Sequence, residues 1–195
     1  MERVTFASLR KRAVALVIAG LGAAVAGLVS LSLALYEAAN PKPLPQVAAG
    51  EPIDTGRWTV VLGAATFHEA EAGGPARNKL AIDVEVTNRS ASTSNSFVNL
   101  LAIEQPPDGL DTPSFYLARD RTIASGLHPD MPERLVAMWD WPEGTPPPQS
   151  LRLDVAGQIH KRRDNLYGAP GWFDRPPVAA VTLPVSTGAS QDAAQ

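Results

Sequence analysis

The longest apolar run of the chain covers residues 13–36, which are 24 residues without one charged side chain. As an α-helix this run would extend over about 36 Å, more than the roughly 30 Å hydrocarbon core of a bilayer. The pattern therefore predicts one transmembrane helix at residues 13–36. Small residues recur four positions apart within it, for example Gly20 and Ala24. Such spacing allows two membrane helices to approach closely, although an Ala- and Gly-rich run also produces it by chance.

Residues 1–12 form a basic tail, with three arginines and one lysine against the single acidic residue Glu2. Positively charged flanks remain on the cytoplasmic side, so we expect a signal anchor that crosses the bacterial cytoplasmic (inner) membrane once. The N-terminus would lie in the cytoplasm and the C-terminal domain in the periplasm or outside the cell. The alternative is a signal peptide that signal peptidase removes, which would release a secreted domain. An apolar core of about 7 to 15 residues is typical of such peptides, and the run here is longer.

Beyond the apolar run, prolines and then alternating strands dominate the pattern. Residues 37–56 contain four prolines and predict a semi-extended linker. Residues 79–87 alternate apolar and polar side chains strictly, as in a strand with one buried and one solvated face. Together with this strand, we predict seven short strands within a domain at 57–185, at residues 57–67, 79–87, 97–104, 114–119, 134–141, 150–155 and 178–185.

Composition agrees with a sandwich of short strands. The chain has 18 prolines and 15 glycines, which suit turns better than long helices. We therefore predict an all-β fold, an antiparallel immunoglobulin-like β-sandwich of about seven strands preceded by the transmembrane helix. Residues 186–195 are small and polar and predict a disordered tail. The chain has no cysteine, which excludes disulfides and thiolate metal ligands.

Two stretches resemble the small bacterial immunoglobulin-like extracellular domains, a group that includes the secreted mycobacterial immunoprotective antigen. They are KLAIDVEVTNRS at 79–90 and LHPDMPERLVAMWDWP at 127–142. In that group an alternating strand ends in Asn-x-Ser/Thr, and a Leu-x-Pro-Gly-type turn leads into a strand that closes on proline. Here the turn has Asp130 where glycine is more usual. The group's Asn-x-Ser/Thr is Asn88–Arg89–Ser90, which in a eukaryotic secreted protein would be a glycosylation sequon.

The resemblance covers residues 57–155 and 178–185 and implies an exported sandwich that is often tethered to a membrane. It implies no catalytic residues. The sequence agrees, because the three histidines His68, His128 and His160 form no metal-ligand spacing and no nucleophile or phosphate-loop motif is present. We therefore expect no enzyme activity, no cofactor and no metal. An envelope carbohydrate hydrolase stays as an alternative that would need two facing carboxylates.

The segment 156–177 lies outside the resemblance and is the most distinctive part of the domain. The first twelve residues carry a net charge of +3, so the remaining chain carries −6, which argues against nucleic acid as a partner. The segment nevertheless holds a basic cluster followed by aromatic side chains, a composition typical of binding hot spots. Its candidate partner-binding residues are Lys161, Arg162, Arg163, Tyr167, Trp172 and Phe173.

Two interpretations of these residues remain open. The segment could dock an envelope protein or an anionic cell-envelope polymer, or Trp172 and Phe173 could fold back and cover an open end of the sandwich. Function is accordingly predicted as a membrane-tethered extracytoplasmic binding or assembly module, an accessory part of a cell-envelope complex. The secreted sandwich domain is the alternative.

Overall fold

A computed structural model describes residues 20, 22–23, 25–36, 39–40, 43–70, 77–164, 166 and 168–188. The chain divides into two compact units, Met1–Pro43 and Leu44–Gln195. The basic tail at 1–12, several residues of the expected span and most of the C-terminal tail lie outside the described residues.

The described part of the first unit is helical at residues 20, 22–23 and 25–36. Its large apolar side chains are exposed, including Leu28 at 67% and Leu35 at 62%. The Ser32 hydroxyl donates to the carbonyl oxygens of Leu28 and Val29, each at 2.9 Å. No helix within the described stretches combines the length and the apolar character needed to cross a membrane.

The second unit is built from strands, as the alternating pattern predicts. A single turn of 3-10 helix, Ser96–Asn99, precedes β5. The strands are β1 Gln46–Val47, β2 Pro52–Asp54, β3 Trp58–His68, β4 Lys79–Asn88, β5 Leu101–Ile103, β6 Ser114–Leu117, β7 Pro132–Asp140, β8 Ser150–Lys161 and β9 Gly171–Gly188.

Three segments of the chain differ from the sequence prediction. The expected linker at 37–56 contributes β1 and β2, strands of two and three residues that are too short to show a period. The expected strand at 97–104 begins as the 3-10 turn, because Phe97 turns inward to a fully buried position. Strands β8 and β9 both continue into the segment 156–177, which had no predicted strand.

The strands form two groups that enclose one core. One group has the order β3-β4-β7-β6, and the other has the order β5-β8-β9, with β1 added to β9 and β2 to β3. Neighbours are antiparallel except at β1·β9 and β3·β9, which are parallel. The sheet is therefore mixed and not purely antiparallel. The β3·β9 pair arises because β9 is 18 residues long and continues past β8 to pair its last residues with β3. β1 instead pairs with the middle of β9, at Ala180 and Val181.

The core is a single cluster of buried apolar side chains from both groups of strands. Three aromatic rings of this core meet edge to face, with Trp58–Phe97 centroids 5.8 Å apart and Phe97–Phe115 centroids 5.5 Å apart. Strand β4 buries its alternate apolar residues, as its pattern predicts. The alternation on β4 thus identifies the face of this strand that packs against the core.

The end of β4 is held by the fully buried Asn88. Its amide nitrogen donates to the carbonyls of Ser92 and Leu127, each at 2.8 Å. Its amide oxygen accepts from the backbone N–H of Ser90 at 2.9 Å and from the Ser90 hydroxyl at 2.6 Å. All four hydrogen-bonding sites of the amide are used, so Asn88 is a structural residue whose nitrogen is not accessible for glycosylation.

Candidate functional site

Within the segment 156–177, which we name the arm, the described parts of β8 and β9 pair as a β-hairpin. Its strands are the second half of β8 and the first third of β9, paired at Ile159↔Phe173 and Lys161↔Gly171. The arm is therefore an extension of two core strands and not a separate insertion between them. Sequence alternation does not reveal it, because beyond residue 158 neither face of the hairpin is fully covered.

One face of the arm, the inner face, is fixed to the start of β3 through the buried Gln158. The Trp58 indole N–H donates to the Gln158 side-chain oxygen at 3.0 Å. The Gln158 side-chain nitrogen donates to the Asp174 carboxylate at 2.8 Å, and its backbone N–H donates to the Thr55 carbonyl at 2.6 Å. The base of the arm is thus a fixed part of the sandwich.

The inner face continues outward with Trp172. Its ring lies 5.3 Å from the His160 ring and 5.4 Å from the Arg57 guanidinium, which lies at the same distance from the Trp58 ring. A cation near the face of an aromatic ring is attracted by the ring quadrupole. Trp172 is half-buried and lies with Arg57 over one end of the sandwich.

Arg57 is a site residue that the sequence analysis missed. Its side chain donates to the Ser96 hydroxyl at 2.8 Å, and burial lowers the pKa of its guanidinium. An arginine nevertheless stays protonated in proteins, so the charge between the two tryptophans is permanent. Only its position immediately before the first strand tryptophan could have hinted at this role.

The outer face of the arm carries Ile159, Lys161, Phe173 and Arg175, because side chains alternate across a hairpin. Ile159 is 39% exposed and Phe173 is half-buried. The Lys161 ammonium lies 4.9 Å from the centre of the Phe173 ring. This face therefore presents an apolar pair next to two cations.

The turn of the arm adds two further predicted residues, the exposed Arg162 and Arg163. The backbone N–H of Asp164 donates to the Ala169 carbonyl at 2.9 Å and closes the turn. Leu166, beyond the two arginines, is 80% exposed. Tyr167 lies outside the described residues.

The structure thus distributes the described predicted residues over three places. Lys161 and Phe173 lie on the outer face, Trp172 lies on the inner face, and Arg162 and Arg163 lie in the turn. The arm carries four basic and two acidic residues, a net charge of +2. The chain after residue 12 and outside the arm then carries −8, so the arm is a basic feature on an acidic domain.

The histidines lie in separate environments. His160 contacts Trp172, and His128 shares a hydrogen bond of 2.9 Å with the Thr93 hydroxyl. Among the residues that the structure describes, no group of three or more His, Asp or Glu side chains is arranged to hold a metal ion.

No protein-family model matches the sequence. No curated protein matches it either. A crystal structure of an uncharacterised β-sandwich protein from Clostridium difficile 630 is similar, with 13% sequence identity and a TM-score of 0.43. The match covers 69% of this chain and 96% of that protein.

Proposed function

We propose that this chain is a membrane-tethered binding or assembly module without catalytic activity, an accessory part of a bacterial cell-envelope complex. In this proposal the apolar run at 13–36 anchors the chain in the cytoplasmic membrane, and the domain contacts its partner through the arm. The observation that carries the proposal is the arm itself, a basic hairpin with exposed apolar side chains on a domain that is otherwise acidic.

The anchor is supported by the sequence and by local contacts. The run at 13–36 has no charge, and basic residues precede it. The Ser32 hydroxyl bonds to carbonyls one turn earlier, so this polar group needs no water. The exposed apolar side chains of the helical stretch would be stable next to lipid.

The proposed immunoglobulin-like architecture is supported by strand order. Numbering the seven main strands from β3 gives the groups 1-2-5-4 and 3-6-7. The two sheets of a constant-type immunoglobulin sandwich have the same strand order, ABED and CFG. The parallel contact between β3 and the end of β9 joins the first and last strands of that series. Such sandwiches serve as rigid scaffolds for surface loops and hairpins.

Contact through the arm is supported by its rigidity and its composition. Three hydrogen bonds at Gln158 fix its base, so binding would order few additional groups. Exposed aromatic and apolar side chains next to cations are enriched in interface hot spots. The alternative of an envelope carbohydrate hydrolase would need two carboxylates that flank a bound sugar, one as acid and the other as base or nucleophile.

Topology can be tested with single cysteines, because the natural chain has none. We would compare Ser8→Cys in the basic tail with Asp108→Cys on an exposed turn of the domain. A membrane-impermeant maleimide should label Asp108→Cys in intact spheroplasts and Ser8→Cys only after lysis. Labelling of both variants, or of neither, before lysis would contradict the proposed orientation. An intact mass that lacks the first ~34 residues would instead show that signal peptidase releases the domain as a secreted protein.

Partner contact can be tested by comparing the two faces of the arm. Phe173→Ser should leave the melting temperature nearly unchanged and reduce the proteins recovered with full-length chain from detergent-solubilised membranes. Trp172→Ser is the matched inner-face control and should lower stability by about 1–2 kcal/mol, because it removes the stacking on Arg57. Unchanged recovery with folded Phe173→Ser would exclude the outer face as a contact surface.

A further inference from the structure

The two ends of the sandwich differ in what they expose. Strand register places Trp58 and Asn88 at one end, and His68 and Lys79 at the other. The arm leaves from the Trp58 end, where Gln158 bonds to Trp58. We name this the arm end and the opposite one the far end.

Exposed apolar side chains are concentrated at the arm end. Five large apolar side chains are exposed in the described part of the second unit. Four of them lie at the arm end, namely Val98, Met131, Ile159 and Leu166. Val98 follows Phe97, whose ring meets Trp58, and Met131 directly precedes β7, which pairs with the end of β4. The fifth, Ile123, bridges to Tyr116 at the side of the sandwich.

The outermost part of the arm end is basic. Residues 161–163 are three consecutive exposed cations. Both acidic residues of the arm are engaged in hydrogen bonds, since the Asp174 carboxylate accepts from the Gln158 side chain at 2.8 Å and the Asp164 carboxylate accepts from the Leu166 backbone N–H at 2.6 Å. Cations next to exposed apolar side chains are typical of surfaces that bind at a lipid interface.

The chain enters the second unit from the arm end. β1 is parallel to β9, with Gln46 opposite Ala180. β9 runs from the arm at Gly171 toward Gly188. The residues before Gln46 therefore lie toward the arm, and the Pro45 carbonyl accepts from the Ala180 N–H at 2.9 Å.

The length of the connecting chain limits the distance between β1 and a membrane that holds the apolar run. Residues 37–45 make this connection, and nine residues reach at most ~32 Å. Along β9, the nine steps from Ala180 back to Gly171 cover ~30 Å, and the turn of the arm lies beyond Gly171. The turn therefore extends about as far from β1 as the connecting residues can reach.

We propose that the turn of the arm docks on the lipid surface of the membrane in which the chain is anchored, with residues 161–163 at the phosphate groups of anionic lipid headgroups. This inference rests on the proposed anchor and goes beyond the proposed function, because it gives the turn a lipid contact and leaves Ile159 and Phe173 on the outer face for a protein partner.

The acidic charge of the rest of the domain opposes this contact only weakly. Attraction or repulsion by a charged membrane surface falls off within a Debye length, about 8 Å at physiological salt. Asp140, for example, pairs with Lys79 at the far end, about 33 Å from the arm end along β3. The cations of the turn lie within that distance of the headgroups, and the far end lies several Debye lengths away.

The test uses full-length chain reconstituted into vesicles of phosphatidylcholine, with or without phosphatidylglycerol. Ala169→Cys in the turn and Asp108→Cys at the far end each carry a fluorophore, and a quencher attached to the lipid headgroups reports contact with the surface. In vesicles with phosphatidylglycerol we expect ~5-fold or more stronger quenching for Ala169→Cys than for Asp108→Cys. High salt should reduce the difference, because exposed charges are screened.

Substitutions of arginine provide the matched control. Arg163→Gln in the Ala169→Cys chain should lower the ratio of docked to undocked chains ~5-fold, and Arg162→Gln together with it ~25-fold. Arg77→Gln replaces an exposed arginine at the far end and should leave the quenching unchanged.

The possible failures separate this inference from the proposed anchor. Equal quenching of the two probes in chains that co-float with the vesicles would overturn the lipid contact and leave the anchor intact. Quenching that is independent of phosphatidylglycerol, or no more sensitive to Arg163→Gln than to Arg77→Gln, would also overturn it. Contact of the turn only after a membrane extract is added would identify a protein as its partner and overturn the inference. Chains that remain in solution when the vesicles float would overturn the anchor and the lipid contact together.

Discussion

The hydrogen-bond cluster of Asn88 permits a quantitative prediction for Asn88→Ala. The substitution removes four hydrogen bonds inside the protein. At about 1 kcal/mol each, these bonds contribute about 4 kcal/mol to the free energy of unfolding. Two of the partners keep or gain another bond. The Leu127 carbonyl still accepts from the backbone N–H of Ser94, and the Ser90 hydroxyl, whose single proton no longer goes to Asn88, donates to the Ser92 carbonyl at 3.1 Å.

The remaining partner, the backbone N–H of Ser90, loses its acceptor in a buried position. An unsatisfied buried donor costs about 1–3 kcal/mol, which offsets the bonds that survive. We therefore expect Asn88→Ala to lower the free energy of unfolding by about 3–5 kcal/mol. For a domain of this size, that corresponds to a decrease in melting temperature of about 6–20 °C.

The assay is urea denaturation followed by tryptophan fluorescence, with thermal melting as a second readout. Asn99→Ala is the matched control, because Asn99 is exposed and its substitution should change stability by less than about 0.5 kcal/mol. A loss for Asn88→Ala within about 1 kcal/mol of that control would refute the view that this amide organises the end of β4.

Three further substitutions test the base of the arm and the turns. Gly56→Ala should lower the free energy of unfolding by about 2–4 kcal/mol, because Gly56 has a φ of +92° and the added carbon would collide with the Gln158 carbonyl. The control Gly109→Ala, with a φ of +78° and open space around it, should lower the free energy of unfolding by only about 1 kcal/mol. Equal losses for the two variants in denaturation curves would contradict the predicted collision. Gln158→Leu should lower the free energy of unfolding by about 1–3 kcal/mol and accelerate amide hydrogen exchange in the arm, because the Trp58 indole N–H loses its acceptor. Unchanged hydrogen exchange would show that other contacts hold the arm in place. Asp130→Val should lower the free energy of unfolding by about 1–2 kcal/mol, because φ is +54° at this residue and β-branched side chains rarely adopt that conformation. An unchanged free energy of unfolding in the same denaturation assay would contradict this backbone argument.

Strand β4 could be predicted from sequence because its environment is simple. One of its faces is buried and the other is solvated, so the pattern of side chains repeats every two residues. Asp130 lies in a turn and has a positive φ, a conformation that glycine and, less readily, aspartate adopt. In both cases the conformation depends on the residues themselves and their immediate neighbours in sequence, and not on distant contacts.

The elements that the sequence did not reveal depend on distant contacts. β1 is defined by pairing with Ala180 and Val181, more than 100 residues away, and its own two residues carry no period. The arm is stabilised at its base by Gln158, whose partners Thr55 and Trp58 lie about 100 residues earlier. Arg57 likewise lies near Trp172 only after folding. Local propensity contains no information on such contacts.

The pairing of β9 with β3 affects the order in which strands can pair while the chain is synthesised. Its last residues pair with β3, and the Thr66 and Ser186 hydroxyls lie 3.4 Å apart across 120 positions of sequence. Contacts between such distant residues form slowly, because a long loop must close before they contribute. Until the polypeptide is made through residue 188, the first strands have no partner at that edge. The sandwich can therefore be closed at this edge only after residue 188 has been synthesised, so the last residues to be added complete the pairing of the first long strand.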